Sequence, residues 1–193
     1  MSVRVIRAAE LKTTRWSGGK TTELLIFPPG SSYEARNFSV RVSSASVELV
    51  RSDFTALPGI TRYIMPLSGN IRLEHTAGDG QILPGASLSP LDIYRFDGGW
   101  STVSQGACTD FNLMLSEGWE GEMSALADKG EAACGAGQLL CLFALKPMVL
   151  TLAGGEYALS PGDAVVADGS EAVFITVKGK GAGLAAVAKA WRE

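Results

Sequence analysis

Side chains that alternate in polarity, residue by residue and in short segments, constrain the fold of this chain more than any other feature. Phe38, Val40 and Val42 alternate with Ser39, Arg41 and Ser43, and Ile71 and Leu73 alternate with Arg72 and Glu74. A period of two marks a strand with one face turned to a core. Turn chemistry separates these runs at Thr76-Ala-Gly-Asp-Gly80, Leu83-Pro-Gly85, Ser89-Pro90 and Asp97-Gly-Gly99. Strands recurring at such short intervals predict a sandwich or barrel rather than βαβ units. The 23 glycines and 8 prolines are spread along the chain, as many short strands joined by tight turns require.

The stretch 116–137 changes character, with five acidic residues (Glu117, Glu120, Glu122, Asp128 and Glu131) among alanines and glycines. It reads as an exposed connector with a short helix around residues 122–127. Strands are expected again at 139–145, 148–152, 156–159, 164–167, 172–177 and 184–188, with Ser160-Pro-Gly-Asp163 as a turn. The economical division is a first β unit over 1–116, a connector over 117–137 and a smaller second unit over 138–193.

With 193 residues, 46% of them hydrophobic, the chain can bury a sizeable core without disulfides or metals. A net charge of −3 from 17 basic and 20 acidic residues, with no basic stripe, argues against nucleic acid as a partner. The start alternates polar and apolar residues and lacks the apolar run of a signal peptide. The longest apolar stretch, 139–153, is broken by Lys146-Pro147 and is too short to span a bilayer. Cys108, Cys134 and Cys141 show no C-x-x-C spacing and read as reduced, mostly buried thiols. A cytoplasmic protein with no membrane partner is the expectation.

Gly18-Gly-Lys-Thr-Thr22 has the look of a phosphate loop, but Thr14 stands where the Walker pattern requires glycine. The strand-like Glu23-Leu-Leu-Ile-Phe-Pro-Pro29 follows where a helix N-terminus is needed. Metal chemistry of the histidine-rich kind lacks its ligands, because the chain has a single histidine, His75, read as a surface or turn residue. Neither a metal nor another cofactor is expected. No G-x-S-x-G is present, and no base lies near the cysteines in sequence, so nucleophilic catalysis has little support.

The remaining candidates are charged and polar groups within strands: Glu23, Arg41, Arg62, Asp110 and Asn112. Taken singly, each could be a solvated side chain or part of a structural ion pair. If the strands close around a lumen, their polar faces converge on one cavity. An arginine there must be paired or must meet an anion, because an unpaired buried charge is very costly. Arginine's planar fork fits a carboxylate. The residues therefore point to a pocket for a small carboxylate ligand.

Five segments in order resemble the HutD/Ves family: Trp16-Ser-Gly-Gly-Lys-Thr-Thr-Glu23; Phe38-Ser-Val-Arg41 with Ser44-Ala45; Phe54-x-x-Leu-Pro-Gly-Ile-Thr-Arg62; Phe96-Asp-Gly98; and Asp110-Phe-Asn-x-Met114. They cover roughly residues 10–115. The family usually shows Asn at position 17, Gly at 20 and Trp at 40, where this chain has Ser17, Lys20 and Val40. The resemblance implies an all-β, double-stranded β-helix (RmlC-like cupin) fold with two cupin-like units, the first holding the pocket and the second degenerate. It further implies a HutD-like protein that binds a carboxylate such as N-formylglutamate or urocanate and moderates histidine utilisation, or a Ves-like stress-related one. On that frame Arg41 and Arg62 would grip the carboxylate and Lys20 would assist. Glu23, Asp110 and Asn112 would orient the arginines or accept hydrogen bonds, and Trp16 and Phe96 would supply apolar walls. The rival is a metal-free isomerase or lyase with Glu23 or Asp110 as general base. It ranks second because neighbouring arginines should lower the pKa that a base needs raised. A homodimer through exposed edge strands is compatible with such a fold.

Overall fold

In the computed structural model, which describes residues 3–152, 155–170, 172–181 and 183–192, the chain divides into two all-β units. Met1 and Ser2, where the alternating N-terminal stretch begins, lie outside the described residues. One unit spans 12–117; the other takes the chain up to Leu11 and from Gly118 onward. The first strand, β1 (Val3–Ile6), thus belongs with the later residues and not with the first unit.

In 12–117 a six-stranded antiparallel sheet runs β2 (Thr13–Trp16), β3 (Gly19–Phe27), β4 (Val40–Val47), β11 (Cys108–Ser116), β6 (Ile60–Ser68), β9 (Tyr94–Asp97). A four-stranded sheet runs β5 (Arg51–Phe54), β10 (Ser101–Gln105), β7 (Ile71–Thr76), β8 (Ile82–Leu88). Among the described residues these are two separate sheets, not one closed barrel. Val47, Ile64, Phe96 and Cys108 of the larger sheet pack with Ile71, Leu73 and Leu88 of the smaller one. The larger sheet's other face carries Val40, Val42, Leu113 and Leu115, all buried. On its first face Arg41, Ser43, Asp110 and Asn112, the polar members of β4 and β11, are buried too.

The second unit pairs a five-stranded sheet with a four-stranded one. The first runs β1, β17 (Ala164–Ala167), β14 (Leu139–Ala144), β19 (Ala185–Arg192), β12 (Trp119–Leu126), and the second runs β13 (Glu131–Cys134), β18 (Val173–Gly179), β15 (Met148–Leu152), β16 (Gly155–Leu159). Leu140, Leu142, Leu150, Val165, Ile175 and Val177 fill its core. The region expected to be a connector with a helix is instead strand: β12 pairs with β19 along its whole length. Trp119, Gly121 and Met123 are buried while Glu122 and Ser124 are exposed, which is a period of two. Glutamates that suggested a helix are the outward residues of a strand, and Glu122 is paired with Lys189.

The turn at 160–163 is fixed by its aspartate. Asp163 is buried and accepts the backbone N–H groups of Ser160 (3.0 Å) and Ala8 (2.9 Å), together with Arg7 Nη1–H (2.8 Å). Burial pushes its carboxyl up, but the Ser160 and Ala8 amides and then Arg7 outweigh this and hold it below the usual carboxylate range. A depressed carboxyl contributes stability above its unfolded pKa, and that contribution is lost as pH falls through the folded value. Asp163→Ala leaves two backbone donors without an acceptor and is expected to cost about 2–3 kcal/mol. Arg7→Ala removes only a half-exposed partner and is expected to cost below about 1 kcal/mol. Urea denaturation of the two variants checks the ranking; equal losses would put the stabilisation in the ion pair instead.

Candidate functional site

The inner face of the six-stranded sheet changes chemistry along its strands. Next to the apolar Val47, Ile64 and Cys108 come Arg41, Ser43, Arg62, Asp110 and Asn112, and there the sheet lines a cavity of about 430 Å³. Strand register explains which side chains meet. Arg62, Met114 and Arg41 are successive cross-strand neighbours on β6, β11 and β4. Asn112, Ser43 and Glu23 form the next row across β11, β4 and β3, and Asp110, Ala45 and Thr21 the row after that. A bulge in β3 between Glu23 and Leu25 ends the polar row there. It brings Ile26, not Leu25, opposite Arg41, and Ile26 packs against Phe38, Leu57 and Met114.

Arg41 is 6% exposed and paired with a carboxylate. Its Nε–H donates to Glu23 Oε2 (3.0 Å), its Nη1–H donates to Ser43 Oγ (3.0 Å), and its guanidinium lies 4.6 Å from the centre of the Tyr33 ring. Arg62, 7% exposed, is different: among the described residues it forms no ion pair. Its guanidinium packs against two adjacent rings, Phe54 (4.7 Å) and Phe96 (5.2 Å), Nη1–H makes a long contact to the Thr55 carbonyl (3.5 Å), and Nε has no hydrogen-bond partner among the described residues. Burial lowers its pKa from 12.5 to about 10, which still leaves it charged at neutral pH.

Asp110 is 2% exposed. Its Oδ1 accepts Ala45 N–H (3.2 Å) and Asn112 Nδ2–H, while Asn112 Oδ1 has no partner. Burial raises the Asp110 carboxyl from its ordinary 3.8 to about 6, against the opposing pull of the Ala45 amide, Arg62 and Asn112. The expectation that arginines would keep a carboxyl here low is thus overturned, because desolvation outweighs a charge that is not in contact.

Trp16 lines the mouth, 39% exposed, with Nε1–H donating to Thr21 Oγ1 (3.2 Å). The glycines that resembled a phosphate loop make this placement possible. A Cβ on Gly18 would lie 2.1 Å from the Trp16 ring, and one on Gly19 would lie 1.8 Å from the Ser46 carbonyl. Lys20 does not line the cavity: it is exposed and opposite Ser46, on the face that Thr21 and Glu23 turn away from. Phe96 is buried beneath Arg62 rather than forming a wall. Sequence reasoning missed Tyr33, Ser43 and Phe54. Ser43 was visible, in the same alternating row as Arg41. Tyr33 comes from a loop and Phe54 from the other sheet, so only tertiary structure brings them in.

His75 is not a surface residue. It is 1% exposed, within hydrogen-bond distance of Thr102 Oγ1 through Nδ1 (2.9 Å) and packed among the rings of Tyr94, Phe96 and Trp100. Burial, and after it Arg62, lowers its pKa. Among the described residues no three His, Cys, Asp or Glu side chains gather as metal ligands do, and two arginines on the cavity face do not suit a cation. A more open groove of about 520 Å³ along β7 and β8 carries the exposed Arg72–Glu74 pair, with no converging buried charges. Among the described residues no helix is long and apolar enough to cross a membrane.

Solved structures share this architecture. HutD from Pseudomonas fluorescens SBW25, solved in a formate condition, is 20% identical, with 100% of each chain covered and a TM-score of 0.78. A conserved protein of unknown function from Pseudomonas aeruginosa PAO1 is 25% identical, with 99% of this chain and 98% of that one covered and the same TM-score, 0.78. The bacterial pirin YhhW from Escherichia coli, in complex with nickel(II), is 9% identical with a TM-score of 0.64, over 98% of this chain and 99% of that one. No curated protein matches the chain in sequence. The fold is all-β and of the cupin type. The HutD family model matches residues 8–185, nearly the whole length, and the chain belongs to the HutD family.

Proposed function

We propose that this protein binds a small carboxylate in the cavity of residues 12–117, with Arg62 as its anchor. The observation that carries the reading is a buried arginine on a cavity wall that forms no ion pair among the described residues. Arg41 is already matched by Glu23, so Arg62 is the cation whose desolvation an incoming anion would offset. Phe54 and Phe96 pack against the guanidinium without accepting its N–H groups, which a carboxylate would engage. Glu23 orients Arg41, Asp110 and Asn112 supply acceptors, and Trp16 covers the entrance. Lys20, on the far face, has no part in this version of the site. Family membership suggests a role in moderating histidine utilisation, with N-formylglutamate or urocanate as the ligand.

A second reading has a specific observation behind it. A carboxyl held at about 6, as Asp110 is, has the basicity that a general base working near neutral pH requires. Proton abstraction from a bound acid, as in an isomerase or lyase, would use it. Calorimetry with acetate, glycolate, N-formylglutamate and urocanate, with product formation followed in parallel, separates the two. Heat of binding without turnover supports the binding protein, and turnover supports the enzyme. No heat with any of these acids would remove the basis of both.

A further inference from the structure

We propose that Asn112 is the specificity-determining residue of this cavity, admitting carboxylates that also carry an N–H donor, and that Asp110 positions it for that purpose. The inference rests on the carboxylate reading above and extends it to the other half of the ligand. Asn112 is 6% exposed and lines the cavity, and its amide is used at one end only. Nδ2–H is given to Asp110, and Oδ1 has no partner among the described residues. A buried acceptor left unpaired is a cost to the site, so a group that satisfies it on binding gains affinity by relieving that cost.

The amide cannot turn round to relieve itself. Turned, it would set its oxygen against the oxygen of Asp110 that already holds Ala45 N–H. With the carboxyl at about 6, Asp110 is mainly ionised at neutral pH and can only accept. Among the described residues no neighbour meets the position: Asn112 faces Ser43 and Ile64 across the strands, and no donor, the Ser43 hydroxyl included, lies within hydrogen-bond distance of Oδ1. The cavity therefore presents two unmet demands, an anion for Arg62 and an N–H for Asn112 Oδ1. A ligand with only a carboxylate meets the first and buries the second. A site whose own polar group is stranded by the wrong ligand discriminates more sharply than an apolar pocket does.

N-acetylglycine and levulinate test this directly, since they differ only by N–H against CH₂ at one position. Both are titrated at neutral pH into the full chain, wild type and Asn112→Leu, by calorimetry or by NMR shifts. The wild type is expected to favour N-acetylglycine by about tenfold or more, and Asn112→Leu to bring the two within about twofold. Asp110→Asn frees the Asn112 amide to turn and is expected to shrink the preference as well, which serves if the leucine variant does not fold. Equal affinities in the wild type, or a preference that survives both substitutions, would overturn the assignment while leaving the carboxylate reading standing. Binding of neither acid would overturn that reading and this inference with it.

Discussion

Arg62→Met is expected to abolish carboxylate binding, weakening it by about a hundredfold or more, while leaving the protein folded and no less stable. Both halves follow from the same geometry. The guanidinium is buried against Phe54 and Phe96 and forms no ion pair among the described residues, so its charge is a cost to the folded state before any ligand arrives. Replacing buried charge by an apolar side chain of similar volume is often neutral or stabilising. Methionine has comparable reach, and its thioether packs well against aromatic rings. For the ligand the exchange removes a charge-assisted, two-pronged contact. Arg62→Lys keeps charge and loses the fork, and is expected to retain only a fraction of the affinity. Because Arg62 also lowers the pKa of His75, the methionine variant should raise it, which the imidazole NMR shifts of the only histidine report without interference. A methionine variant that binds acids as the wild type does would show that the anchor lies elsewhere. One that unfolds would show that the guanidinium is structural.

The alternation of polar and apolar side chains along the strands carries most of this site. In β4 the parity of Arg41 also selects Ser43, and in β11 the parity of Asp110 also selects Asn112 and Met114, all of them on the cavity face. The same parity places Lys20 and His75. Lys20 is out of phase with Thr21 and Glu23, and a strand with Glu23 inside must turn Lys20 out. His75 is in phase with Ile71 and Leu73, which marks it as a core position despite the turn beside it. What period two cannot convey is pairing at a distance. Phe54 reaches Arg62 from a different sheet, and β1 pairs with β17 some 160 residues onward, as in Val3 opposite Ala167. The β3 bulge is equally silent in the apolar run that follows Glu23.

Asp110→Asn is expected to stabilise the protein at neutral pH and to remove much of the difference between acidic and neutral conditions. The sign follows from a carboxyl raised by burial. Between its ordinary 3.8 and about 6 the folded chain holds a proton that the unfolded chain has released, so stability falls as pH rises through that window. Above about 6 the penalty is complete, on the order of 3 kcal/mol for a rise of this size. Asparagine retains an acceptor for Ala45 N–H and has no charge to desolvate. The gain over wild type should therefore be small near pH 4, grow through pH 6 and level off by pH 7.5. Asp163 titrates in the opposite sense, but it is present in both proteins and cancels in the difference. Denaturant unfolding at intervals from pH 4 to pH 8 gives the curve, and parallel profiles for the two proteins would mean that Asp110 ionises freely in the fold. Ligand affinity should carry the same signature. Once ionised, Asp110 sets a negative charge in the cavity that Arg62 offers to an acid, so wild-type affinity should decline as pH rises through about 6. The asparagine variant should bind a simple carboxylate with little change over that range, as long as the acid itself remains ionised.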